Sequence, residues 1–343
     1  MTEVEMRAEE GLAPWLAPHW QRLTQARAAG RLPHALLIAG PRGVGKRLLV
    51  DTLARALLCP SPRPDGAACG RCADCRLVQA GSHPDLMRVA PDPESKSGEI
   101  PIDSIRDMRD RATLTAGRGG HILFIIDPAD RMNTAASNAL LKTLEEPPGP
   151  VLLCLIAEDP GRLPATVRSR CLLLRQGLPP PDQALEWLGN QIPPGQSGGP
   201  PPEMRLGLAR GAPLSARDAV DGALLELHAN LRESLVGIAQ GRLDPVAEAR
   251  AWSGAEARLS LSWLAGWLCD LLRLAVAGED ARLADAVGGR ALAGLVPGID
   301  LAAAHRLLRR VFRASGLKDS TVNPQLLLES LLVEWSRLFR LRL

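Results

Sequence analysis

The chain has 343 residues, longer than one average domain, and its 46% hydrophobic and 23% charged composition is that of a globular protein with two or three cores. Its 41 basic against 38 acidic residues leave a formal charge of +3, which excludes a histone-like or tail-driven nucleic-acid binder but not a local basic patch. No basic segment followed by an apolar one opens the chain, and no run of about 18 uncharged apolar residues occurs, so neither a secretory signal nor a membrane span is expected and a cytoplasmic protein is predicted. Only four basic residues are lysine, tyrosine is absent, and three Phe with seven Trp leave the cores to Leu, Ala, Val and Ile, a composition that leans toward helix.

In chain order, residues 1–34 read as helical, with Trp15, Trp20 and Leu23 on one face. His34–Ala39 reads as a buried strand running into Gly40-Pro-Arg-Gly43-Val-Gly45-Lys46, and helical composition returns over Arg47–Leu58. Asp85–Val89 is a strand candidate, Pro91–Gly98 a polar loop, and Asp103 a cap for a helix starting at Ser104. Ile122–Ile126 has the unbroken apolar character of a central parallel strand and ends in Asp127. A helix over Ala135–Glu145 is stopped by Pro147-Pro148, Val151–Ala157 is the next strand, and Pro164–Arg170 a short helix. Strands alternating with helices predict a parallel α/β sheet across roughly residues 35–175. Prolines at 179–181, 193–194 and 200–202 bracket a short helical piece at Ala184–Leu188, and Gln191–Pro202 reads as a mobile loop. Beyond about Pro213 helical patterns dominate. The last helix is the clearest, with Asn323 as cap, Pro324 in its first turn, and Leu328, Leu331, Leu332, Trp335 and Phe339 in one stripe.

Gly40, Gly43, Gly45 and Lys46 fit a phosphate loop, whose backbone N–H groups at a helix start surround a polyphosphate while the lysine meets its outer charges. A chance glycine turn is the alternative. Arg47 stands where the pattern wants Ser or Thr as a Mg²⁺ ligand; its guanidinium can contact phosphate, as a further candidate nucleotide-binding residue beside Asp127, but repels the metal. Motor ATPases with such loops end the second key strand in Asp-Glu. This chain has Asp127-Pro128, which keeps the metal-side carboxylate but lacks the base that activates water, and Asp130 reads as a surface or helix-start charge. Nucleotide binding therefore fits, with ATP as the candidate ligand and its occupancy open, whereas turnover does not.

Cys59, Cys69, Cys72 and Cys75 bring four thiols into a short stretch threaded with Pro and Gly. Four thiolates complete a tetrahedral shell around Zn²⁺, and the x2 spacings let neighbouring sulfurs reach one ion. With no open position such an ion is structural, and its binding is worth on the order of 10–16 kcal/mol in small zinc modules. Unligated cysteines or a redox pair are the competing readings. Cys154, Cys171 and Cys269 read as buried thiols, and the intracellular setting argues against disulfides. Finally, Arg168 and Arg170 close the α/β region, and composition alone favours a solvated basic surface there.

Taken together, Asn138-Ala-Leu-Leu-Lys-Thr-Leu-Glu-Glu-Pro-Pro148, Ser169-Arg170-Cys171, the phosphate loop with its four-cysteine insertion, and Asn323-Pro-Gln-Leu-Leu-Leu-Glu-Ser330 resemble the AAA+ subunits of the bacterial DNA polymerase III clamp loader. Arg47 and Pro128, together with Ala157 and Glu158 where motor subunits carry phosphate-sensing threonines, depart from the ATP-hydrolysing gamma or tau pattern and are similar to the stator branch, delta prime. An ATP-hydrolysing motor subunit or another AAA+ ATPase is the alternative, and a zinc-dependent nucleic-acid-binding module is opposed by the near-neutral charge. The resemblance implies a RecA-like AAA+ domain over 1–172 with the zinc module at 59–75, a helical lid over 173–213 and an all-helical collar over 214–343. It also implies a hetero-pentamer with gamma or tau and delta, acting on the sliding clamp and primed DNA, in which Arg170 is an arginine finger for the ATP of a neighbouring motor subunit.

Overall fold

A computed structural model describes residues 11–95, 97–112, 117, 120–191, 200–218, 222–253, 257–316 and 323–339. Most of the loop expected over Gln191–Pro202 lies outside these. The chain divides into two compact units, Met1–Leu178 and Pro179–Leu343.

The first unit is built on five parallel strands: β1 (Ala35–Ala39), β2 (Leu86–Val89), β3 (Ile122–Ile126), β4 (Val151–Ala157) and β5 (Leu172–Arg175), in the order β2-β3-β4-β1-β5. Every residue of β1, β3 and β4 is buried, which is why these segments read as unbroken apolar runs: a central strand in such a sheet is covered on both faces. In chain order its helices are α1 (Ala17–Ala28), α2 (Lys46–Leu58), α3 (Ala73–Gln79), α4 (Ile102–Ala112), α5 (Thr134–Glu145) and α6 (Ala165–Arg168). Ile105 and Met108 of α4 and Ala136, Leu140 and Leu144 of α5 share one core with Leu37, Phe124 and Leu153 of the sheet.

Local chemistry sets most of the boundaries. Asn133 caps α5 by accepting the Ala136 N–H at 2.8 Å. Helix α4 begins at Ile102, two residues before the expected start, and carries Asp103 within its first turn, where a carboxylate favours the helix dipole. Trp15 and Leu23 are buried as expected, while Trp20 is only half-buried; of the helix expected over 1–34, residues 1–10 lie outside the described residues and the rest begins as a short turn followed by α1. Strand β5 had no separate signal. Its four residues are too few for a period, and pairing with β1 makes it a strand.

In the second unit all regular elements among the described residues are helical: α7 (Pro181–Gln191), α8 (Pro202–Leu208), α9 (Pro213–Asp218), α10 (Gly222–Ala239), α11 (Pro245–Trp252), α12 (Ala257–Ala277), α13 (Ala286–Leu292), α14 (Leu301–Gly316) and α15 (Pro324–Ser336), with short 3₁₀ turns between some of them. Helix α15 starts as expected, Asn323 accepting the Gln325 N–H at 2.9 Å. Its stripe of Leu328, Leu331, Leu332 and Trp335 is buried, and Phe339 lies beyond its end. The stretch Leu259–Ala277 of α12 has the length and apolarity of a membrane span, but Trp263, Leu264, Trp267, Leu268 and Leu271 sit in the core of this unit.

A polar node sits inside that core. The His228 ring lies between Trp263 and Trp267, at centroid distances of 4.9 and 4.8 Å, with its Nε2 3.3 Å from Asp285 Oδ2. Asp285 also accepts hydrogen bonds from Trp267 Nε1 at 3.0 Å and from the Gly288 N–H at 2.7 Å, capping α13. Burial pushes the His228 imidazole down to about 4, against the opposing pull of Asp285. The unfolded chain protonates this histidine near its ordinary 6.5, so stability present above that pH is lost as pH falls toward 4. The urea midpoint is expected to drop between pH 7 and pH 4.5, and to drop less in His228→Gln. Asp270, raised by burial, contributes an opposite trend common to both proteins, so equal slopes in the two would refute the assignment.

Candidate functional site

The phosphate loop leaves the C-terminal end of β1 and enters α2. Gly40 runs beside Gln176, so closely that a Cβ at Gly40 would lie 1.8 Å from the Gln176 carbonyl oxygen. Gly45 adopts φ +95°, a left-handed conformation in which a side chain is disfavoured, and a Cβ there would meet Leu16 at 2.8 Å. Trp15 holds the same turn by donating its Nε1–H to the Val44 carbonyl at 2.9 Å. Lys46 is buried, and its ammonium donates to the Gly40 and Pro41 carbonyls, each at 2.6 Å. Burial holds this lysine below its ordinary value, opposed by the carboxylates of Glu158, Asp127 and Asp130.

At the end of β3, Asp127 is paired with Arg47, whose Nε–H donates to Asp127 Oδ2. The carboxylate that follows β3 is thus engaged by a guanidinium from the residue after Lys46. Asp127 is joined to Pro128 by a cis peptide bond, and no carboxylate follows it where a base would stand. Asp130 takes a structural role, accepting the Glu158 and Asp159 N–H groups at 3.4 and 3.1 Å. Ala157 pairs with Ala39 in the β1–β4 register, which sets Ala157 and Glu158 beside the start of the loop, and neither side chain has a hydroxyl to donate.

The four cysteines converge. Their sulfurs all lie within 4.8 Å of one another, with Cys59–Cys72 at 4.0 Å and Cys69–Cys75 at 3.9 Å. A tetrahedron with metal–sulfur bonds of about 2.3 Å has edges of about 3.8 Å, whereas a disulfide needs about 2.05 Å, so the cluster has metal-site spacing and could hold one ion. Backbone N–H groups already serve the sulfurs: Cys69 N–H donates to Cys59 Sγ at 3.3 Å and Cys75 N–H to Cys72 Sγ at 3.4 Å. Backbone N–H groups of Arg71 and Cys72 lower the Cys69 thiol to about 6, while burial pushes Cys75 up to about 12. Helix α3 follows the cluster directly, capped by Cys72, whose sulfur accepts the Cys75 N–H. Of the remaining thiols Cys154 is buried, and Cys171 and Cys269 are half-buried.

Arg170 stands elsewhere. It lies just before β5, whose far end meets the phosphate loop through Gln176. All strands run the same way, so Arg170 is at the N-terminal edge of the sheet and the loop at its C-terminal edge. The six residues from Arg170 to Gln176 span up to ~20 Å at about 3.3 Å per residue. The side chain is exposed at 37%, with Nη1 donating to the Thr166 carbonyl at 2.9 Å and Nη2 to Glu145 Oε1 at 2.7 Å. Glu145 carried no signal of its own in the sequence beyond the string that contains it.

The family profile described as DNA polymerase III, delta subunit, matches residues 16–177, and that described as DNA polymerase III, delta subunit, C terminal, matches residues 223–337. The DNA polymerase III subunit delta' of Pseudomonas aeruginosa is 34% identical over 93% of this chain and 97% of its own length. The chain belongs to the delta prime family of DNA polymerase III subunits. The Escherichia coli delta' subunit is 35% identical over 76% of both chains, and the E. coli subunit tau 32% identical over 65% of this chain and 34% of its own. The resemblance carried by the sequence strings is therefore sound at the level of the family, and the parallel sheet it implies is seen directly.

As a delta prime member with an intact glycine loop, the chain owes that loop's shape to the close approach of Gly40 and Gln176. Gly40→Ala is expected to lower stability by about 1–3 kcal/mol, the usual range for an overpacked site. Urea unfolding at wild-type midpoint would show that the β1–β5 edge accommodates the extra methyl group.

Proposed function

We propose that this chain is the stator of a DNA polymerase III clamp loader, a subunit that assembles with gamma or tau and delta in a hetero-pentamer and helps place the sliding clamp on primed DNA. In this reading Arg170 serves in trans as an arginine finger for ATP bound by the neighbouring motor subunit. One observation carries it: an exposed guanidinium at the sheet edge opposite this chain's own phosphate loop, too far away to serve that loop. Such a charge, aimed at a developing phosphoryl transition state, is worth about 10³–10⁵ in rate where it has been measured in GTPases.

The chain's own pocket supports holding a nucleotide rather than turning it over. Loop N–H groups and Lys46 would hold the phosphates of ATP, while the Arg47–Asp127 pair occupies the metal's carboxylate and no base follows it. Cys59, Cys69, Cys72 and Cys75 would hold zinc as a closed, structural shell that pins an insertion with few apolar residues. The organisation proposed with this reading is an AAA+ domain over 1–172, a lid over 173–213 and a collar over 214–343, in a cytoplasmic protein.

Arg170→Ala is expected to leave folding and assembly intact and to lower the DNA-stimulated ATPase of the reconstituted loader at least tenfold. Unchanged ATPase in a correctly assembled complex refutes the finger, and brisk ATP consumption by the isolated wild-type chain refutes the inactive pocket. Protein purified without chelators is expected to contain about one zinc per chain, and Cys72→Ala to contain little. Metal analysis returning no zinc from reduced wild-type protein refutes the structural site.

A further inference from the structure

Glu145 is the last residue of α5 and is followed by Glu146, Pro147 and Pro148. A carboxylate in the last turn of a helix faces the negative end of the helix dipole, an arrangement that costs about 0.3–1 kcal/mol at an exposed position. Its place is therefore not explained by the helix it terminates. Glu145 is half-exposed, and its Oε1 accepts the Nη2–H of Arg170 at 2.7 Å, a short charge-assisted bond. Arg170 is held at a second point, where Nη1 donates to the Thr166 carbonyl at 2.9 Å, with Ser169 Oγ at the outer limit of contact, 3.5 Å away.

These contacts engage both terminal nitrogens of the guanidinium from the protein side. A guanidinium has five N–H groups, so at least two remain for a ligand outside the chain. A free arginine side chain carries about 2 kcal/mol of rotamer entropy, which must be lost when it settles on a phosphate. Two fixed contacts remove most of that disorder beforehand, which is the condition under which a charge stabilises a transition state without first having to be ordered. An exposed ion pair contributes only about 0–1 kcal/mol to folding, so the value of this one lies in orientation rather than in stability.

We propose that Glu145 is a positioning residue for the trans-acting Arg170, holding its guanidinium in the orientation in which its remaining N–H groups meet the triphosphate of a neighbouring subunit. The inference rests on the finger reading of Arg170. Glu145 touches neither nucleotide nor water in this role and acts only through the arginine.

The test uses the whole loader, reconstituted with variants of this subunit, and reads kcat and KM of the DNA-stimulated ATPase separately. Glu145→Ala is expected to lower kcat three- to tenfold at unchanged KM for ATP, with thermal unfolding and assembly at wild-type level. Glu145→Gln keeps an acceptor oxygen and is expected to recover most of that loss. In an Arg170→Ala background, Glu145→Ala is expected to change nothing further. Wild-type kcat in Glu145→Ala while Arg170→Ala is slow overturns the positioning role and leaves the finger standing, as does a loss that persists undiminished in the Arg170→Ala background. Wild-type kcat in Arg170→Ala alone removes the finger and this inference with it.

Discussion

Parallel strand direction is the constraint on which the first unit depends. Because β1 and β5 run the same way in direct register, whatever follows β1 and whatever precedes β5 must sit at opposite edges of the sheet. The phosphate loop follows β1 and Arg170 precedes β5. One chain therefore carries its glycine loop at one edge and the Arg170 guanidinium at the other, and does not bring the two together. In the assembly proposed above, the same constraint would turn the cation of one subunit toward the loop of the next.

The chemistry of the loop itself is decided by one side-chain exchange. A hydroxyl after Lys46 would leave Asp127 available to a hydrated divalent cation. An arginine in that position brings its own positive charge to the carboxylate, so the acid is neutralised by protein rather than by metal. Lys46 meanwhile feels the opposing charges of Glu158, Asp127 and Asp130 and is folded onto loop carbonyls. This site keeps the backbone shape of a phosphate loop, while the hydroxyl position after Lys46 is an arginine and the Asp127 carboxylate is engaged by it.

The second unit solves a different problem. With no tyrosine and two phenylalanines, Phe312 and Phe339, its core relies on indoles, and four tryptophans are fully buried there. Indole N–H groups in a core need acceptors. Trp263 and Trp335 use the carbonyls of Leu208 and Leu235, while Trp267 uses the buried Asp285, which also caps α13 and faces His228. A carboxylate that accepts from an indole and from a helix end and lies beside a buried imidazole is a costly group placed where it joins separate segments, and it makes this core sensitive to pH.

Much of this was legible beforehand, for reasons rooted in short-range physics. Buried parallel strands must be apolar throughout, so β1, β3 and β4 announced themselves. Asn133 was not singled out, but Asn323 with Pro324 marked the start of α15, because capping is decided by adjacent residues. Four cysteines at close spacing signalled a metal shell, because the ligands of such a shell come from one stretch of chain. What depends on partners distant in sequence was silent. Strand β5 exists through pairing with β1, Arg47 meets Asp127 eighty positions away, His228 meets Asp285, and Glu145 meets Arg170. The residue types and their order determined the family and the parts of each site. Which charge faces which, and at which edge of the sheet, was decided only when the strands paired, since Coulomb and hydrogen-bond energies depend on distances in space that the spacing of residues along a chain does not contain.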